Sequence, residues 1–202
     1  VMEMVFRGSP LGNSVIGTPT SLKKITRPVI TEYKKKTYTR DSIVVSVAGN
    51  IDEEKIYAYL EDKFEKLLPE KERAAMDIGQ NAPDCKVIVK DIQQSHICMA
   101  TKTIALDDPR YYSFAVLNNV MGGSMSSRLF QNIRGEKGLA YSVYSMNSAF
   151  STSGFYTIYA GVSHDRIGMA IDGIKEELDK LDKYGVTEEE LSMSKEQLKS
   201  SY

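Results

Sequence analysis

Arg134 and Tyr141 stand seven residues apart in the stretch RLFQNIRGEKGLAYSVYS, residues 128–145. A guanidinium offers a rigid fork of donors that suits carbonyl and carboxylate oxygens. A phenol hydroxyl adds one more donor. Held on ordered backbone, such a pair could grip the oxygens of a ligand. A plainer account also fits. A cation near the C-terminal end of a helix is favoured by the helix dipole, and a tyrosine is a common strand residue.

The remaining reactive side chains are sparse. The two histidines, His96 and His164, are far apart and lie in no HExxH or HxxEH spacing, so this chain is expected to hold no metal. His164 falls at an expected helix start and His96 in or just before an expected strand. Cys85 and Cys98 form no CxxC pair and read as free, buried thiols rather than a disulfide. The run GGSMSSRLF lacks the lysine and spacing of a phosphate-binding loop. A glycine-ended helix followed by a serine cap explains it better.

The elements around the pair are legible from periodicity. A helix of residues 124–137 turns Leu129, Phe130 and Ile133 inward. LAYSVYSMNSAF and GFYTIYAG alternate as two antiparallel strands, 140–148 and 154–161. CKVIVKD and SHICMATKT predict two more, 86–90 and 96–103. A helix over DDPRYYSFAVLNNVMGG starts on an Asp cap with Pro109 and ends on glycines. Ile167, Ala170, Ile171, Ile174, Leu178 and Leu181 mark a long helix. Thr187 and Glu190 fit a capping box for the last one.

Upstream, RGSPLGNSVIGTPTS predicts a loop. Thr26 and Pro28 begin a helix, SIVVSVAG predicts a buried strand, and Asp52 caps an amphipathic helix with Ile56, Leu60, Phe64 and Leu67 on one stripe. Residues 68–84 carry charges, two prolines and a glycine without periodicity, so they predict a linker. Strands and helices mix without regular βαβ alternation. The expected class is α+β, a mixed or antiparallel sheet with helices packed on one face.

Composition narrows the function classes. Among 202 residues, 42% are hydrophobic and 26% charged, an ordinary globular balance. The net charge of -1 argues against a nucleic-acid partner, since phosphate neutralisation needs a basic surface. No apolar run approaches the roughly 20 residues that span a bilayer, so no membrane partner is expected. The opening VMEMVFRGSPLG reads as a helix end and KEQLKSSY as an interrupted helix, which suggests a piece cut at both ends.

LGNSVIGTPTSLKKIT, VAGNID and GGSMSSRLFQNIRGEKGLAYSVYS, in that order, resemble the pitrilysin/insulinase family of zinc peptidases, on its bacterial, processing-peptidase-like branch. The resemblance implies that residues 1–67 are the tail of an upstream, zinc-bearing type of domain, 68–84 a linker, and 85–202 a second, substrate-binding domain truncated at its C-terminus. It implies a zinc metallopeptidase whose metal is bound by an HxxEH helix and a later glutamate outside this chain, so that the chain alone is inactive. It assigns Arg134 and Tyr141 to the peptide substrate, with Tyr141 also catalytic as a donor to the oxyanion. The implied partners are a peptide or unfolded polypeptide, the missing zinc-bearing domain, and a second subunit in a homo- or heterodimer. The implied location is the bacterial cytoplasm. The other implied reading is a non-catalytic partner or structural subunit of a processing-peptidase-like complex. Gly135 departs from the family pattern, which has a polar residue there. Glycine inside a helix costs about 1 kcal/mol relative to alanine, so the turn bearing Arg134 is expected to fray.

Overall fold

The computed structural model describes residues 1–39, 42–65 and 83–201. Among them the α-helices are α1 (Met2–Val5), α2 (Pro19–Lys23), α3 (Arg27–Thr37), α4 (Glu53–Phe64), α5 (Tyr111–Asn118), α6 (Ile167–Tyr184) and α7 (Glu188–Ser201). The strands are β1 (Ser95–Thr103), β2 (Ala140–Ala149) and β3 (Gly154–Val162). Two wider, π-helical stretches, Asn119–Gly123 and Leu129–Glu136, lie between α5 and β2.

Packing divides the chain into two units. One is Ser14–Ala75. In its described residues Thr18 and Ser21 cap α2 reciprocally, and Thr26 precedes α3 with Pro28 in the first turn. The Asp52 carboxylate accepts from the Lys55 N–H at 3.2 Å at the start of α4. The expected strand over 42–49 does not form, and Val44 is almost fully exposed. A β-branched run becomes a strand only when another strand satisfies its N–H and C=O groups. Leu67 and residues 68–82 of the expected linker lie outside the described residues.

The other unit joins Val1–Asn13 to the described part of Met76–Tyr202. The first thirteen residues thus pack with the sheet, whereas the expected boundary kept them with residues 14–67. The sheet is antiparallel, in the order β1-β3-β2. Three of the four expected strands are present within a residue of their limits. The fourth, 86–90, is not a strand, and its Val87 and Val89 are largely exposed.

Alternation gives the sheet two faces. Ile97, Val143, Ile158 and Ala160 turn toward Leu129, Ile133, Ala170 and Ile174, so the wide helix and α6 close the main core on that face. On the opposite face Phe155 meets Phe6 edge-on, with ring centroids 6.0 Å apart. Gly122 shows how closely helix and sheet approach on the core side. A Cβ there would lie 2.4 Å from the Ser145 backbone nitrogen, so no larger residue fits without displacing β2.

The helix expected over 107–123 begins at Tyr111. Asp108 instead closes a turn, accepting from the Arg110 N–H at 2.8 Å and pairing with the Arg110 guanidinium. The helix expected over 124–137 is regular from Leu129, because Ser127 turns back to donate to the Ser124 carbonyl at 2.6 Å. The long helix and the capping box are present: Glu190 N–H donates to Thr187 Oγ1 at 3.2 Å, and Thr187 N–H donates to the Glu190 carboxylate at 2.8 Å.

Candidate functional site: a pinned turn between Arg134 and Tyr141

Arg134 lies in the last turn of the wide helix and is exposed. Its guanidinium sits over the Phe130 ring, 4.8 Å from the centroid. A cation over an aromatic face is held weakly and keeps its donors outward. The helix continues through Gly135 to Glu136, so the expected fraying is not seen. The wide winding is visible in the Lys137 N–H, which donates five residues back to the Asn132 carbonyl at 3.0 Å. Such π-helical turns are uncommon and recur at functional sites.

The chain reverses at Gly138, whose φ of 58° is in the left-handed region that favours glycine. Three interactions hold this reversal. Leu139 N–H donates to the Ile133 carbonyl at 2.8 Å, Arg166 Nη1 donates to the Gly138 carbonyl at 2.6 Å, and Lys137 pairs with Glu176 of α6.

Tyr141 follows on β2 at a register break. Ala140 pairs with Val162 and Ser142 with Gly161, so Tyr141 is the extra residue of a β-bulge. A bulge re-aims a side chain and is common beside active sites. Here Ala140 and Val143 are both buried while Tyr141, between them, is 64% exposed. The two residues singled out by spacing therefore end a helix and begin a strand across one braced turn, and both reach solvent.

A second network anchors the start of the same helix. Arg128 donates to both oxygens of Glu190, from Nε at 2.6 Å and Nη2 at 2.7 Å, and from Nη2 to the Gly185 carbonyl at 2.7 Å. The Arg128 hydrogen bonds hold the Glu190 carboxyl down to about 2, helped by the Thr187 N–H and hydroxyl. The buried Glu177 beside it is paired with Lys180 at 2.7 Å. Arg128 and Arg166 carry no local sequence signal. Each acts through the tertiary partner it reaches.

The exposed sheet face carries an aromatic ladder that the sequence reading passed over. Tyr144 and Tyr159 stack with centroids 4.9 Å apart, and His96 stacks on Tyr159 with Nδ1 2.7 Å from its hydroxyl. Cys98, expected to be buried, is exposed, as is Cys85, and both are free thiols.

The residues present do not fit a zinc site. His164 is engaged at both nitrogens, with Ser95 Oγ at 2.7 Å and the Ile92 carbonyl at 2.9 Å. His96 is turned to Tyr159, and among the described residues no three His, Cys, Asp or Glu side chains gather as ligands. No helix among these residues is long and apolar enough to cross a membrane.

Comparison with known proteins identifies the family. The family described as "Peptidase M16 inactive domain" matches residues 24–198. A Bacillus subtilis protein named as an uncharacterized zinc protease is 38% identical over 195 residues, covering 95% of this chain and 46% of its own length. A Streptomyces coelicolor protein of the same description is 32% identical, covering 98% of this chain and 45% of its own. The chain thus spans about half the length of the curated relatives it matches. The crystal structure of a peptidase M16 inactive domain from Pseudomonas fluorescens superposes with a TM-score of 0.88 at 22% identity, covering the whole chain and 49% of that structure. The chain belongs to the peptidase M16 inactive-domain family.

Proposed function

We propose that this chain is the substrate-side part of a zinc metalloendopeptidase that cleaves peptides or unfolded polypeptides. In this reading residues 1–67 come from the tail of a zinc-bearing type of domain, with the first thirteen packing on the sheet, residues 68–84 are a linker, and residues 85–202 are the substrate domain. Arg134 grips peptide carbonyls, and the Tyr141 hydroxyl donates to the oxyanion formed as water adds to the scissile carbonyl. The metal belongs to the part of the protein outside this chain, and the location is the bacterial cytoplasm.

The observation that carries the reading is the braced turn. A guanidinium and a phenol are exposed at its two ends, on a helix and a bulged strand, and structured backbone suits groups that must be preorganised. The zinc-protease names of the relatives support the reaction class. The test is casein cleavage by the full-length protein, by the same protein after chelation and zinc return, and by this chain alone. Activity that needs zinc and is absent from the isolated chain is the expected result. A zinc-replete full-length protein that cleaves nothing would favour the non-catalytic partner reading instead.

A further inference from the structure

We propose that Phe130 is a positioning residue for Arg134: its ring fixes the guanidinium at the helical end of the braced turn and leaves the donors free for a peptide oxygen. The proposal rests on the peptidase reading, in which Arg134 grips peptide carbonyls, and assigns the side chain that aims it.

Phe130 is a large apolar residue that the core does not use. Its helix neighbours Leu129 and Ile133 are fully buried in the main core. Phe130 is half-buried and belongs to neither hydrophobic cluster. Its ring lies instead under the Arg134 guanidinium, with the centroid 4.8 Å from Cζ. The two residues are four apart on one helix, a spacing that brings side chains together on a face.

The Arg134 guanidinium is open in a way that the other arginines of this unit are not. Arg7 is paired with Asp84, Arg110 with Asp108 and Arg128 with Glu190, and Arg166 donates to the Gly138 carbonyl. Arg134 makes no hydrogen bond or ion pair with any described residue. The difference follows from the partner. A carboxylate holds a guanidinium by occupying its donors. An aromatic face attracts the cation through the ring quadrupole and offers no lone pair, so the fork stays available to an acceptor from outside. An exposed arginine would otherwise spread over many rotamers, and a ligand would have to order it on binding. Resting on the ring reduces that ordering cost.

The experiment uses the full-length protein and a fluorescein-labelled casein peptide. Phe130→Leu should raise KM by about two- to fivefold with a smaller change in kcat, the scale of a cation–π contact at an exposed site. Phe130→Tyr, which keeps the ring face, should restore the wild-type KM. In an Arg134→Ala background Phe130→Leu should have no further effect. A defect that persists without Arg134, or that Phe130→Tyr fails to rescue, would make Phe130 a packing residue and overturn the proposal. Arginine-selective 15N labelling decides the positioning without any peptide. The Arg134 Nε–H signal, identified by its absence from Arg134→Ala, should move toward the position of free arginine in Phe130→Leu and stay in place in Phe130→Tyr. An unmoved signal in Phe130→Leu would overturn the proposal. A moved signal together with wild-type peptide affinity in Arg134→Ala, read by anisotropy, would instead sink the substrate role of Arg134 and leave its positioning by Phe130 standing.

Discussion

Arg166 Nη1 donates to the carbonyl oxygen of Gly138 at 2.6 Å, tying the single 3-10 turn His164–Arg166 before α6 to the reversal that separates Arg134 from Tyr141. Nothing in the spacing of the two residues demands this bond. It turns a glycine loop into a brace.

Removing that brace should therefore affect the site more than the fold. Arg166→Ala is expected to speed hydrogen exchange at the Leu139 amide and to lower peptide turnover by the full-length protein by about tenfold, since small misplacements of positioned groups are costly in rate. Global stability should fall by no more than about 1 kcal/mol, as expected for an exposed side chain. Wild-type turnover with faster exchange would show that the turn need not be rigid.

Gly135 is not required by packing. A Cβ there would lie 3.6 Å from the Phe130 carbonyl oxygen, an ordinary contact, and the residue is exposed within the helix. Gly135→Ala should stabilise the protein by about 0.5–1 kcal/mol, read by urea denaturation. A loss of stability would mean that the wide turn depends on glycine's backbone freedom.

The Arg128–Glu190 fork predicts an acid-sensitive element. The folded carboxyl is held at about 2 by Arg128, below its ordinary value of 4.5. Its stabilisation is complete above the unfolded value and is lost as pH falls from about 5 toward the folded value. Glu190→Gln should cost about 1–3 kcal/mol at neutral pH and flatten that part of the stability–pH curve. An unchanged acid limb would assign the sensitivity to other carboxylates, with Asp108, also held at about 2 by Arg110, the next to replace.

The strands around the site were legible because alternation is a local property. Val143 and Ser145 on β2 and Ile158, Ala160 and Val162 on β3 keep a period of two toward the core, and β2 and β3 follow within one residue of the expected limits. Residues 42–49 and 86–90 carry equally strong β-branched runs, yet a strand also needs a partner, which no local pattern supplies. The wide winding around Arg134 could not be told from an α-helix by residue type: Leu129 and Ile133 are buried as expected, while Phe130, also expected inward, is half-buried beneath the Arg134 guanidinium. The bulge at Tyr141 was hidden for a related reason. It appears only in the register against β3. The positions of Arg134 and Tyr141 in the chain were therefore readable, and the brace and the bulge were not.

The most direct test of the account is the turnover of Tyr141→Phe in the zinc-loaded full-length protein. Loss of the hydroxyl should lower kcat by one to three orders of magnitude, about 10²–10³ being the usual cost of a lost oxyanion donor, with a smaller change in KM and little change in stability. Arg134→Ala, measured beside it, should raise KM as well. Wild-type turnover by Tyr141→Phe with a lowered unfolding midpoint would make Tyr141 a packing residue and contradict the account.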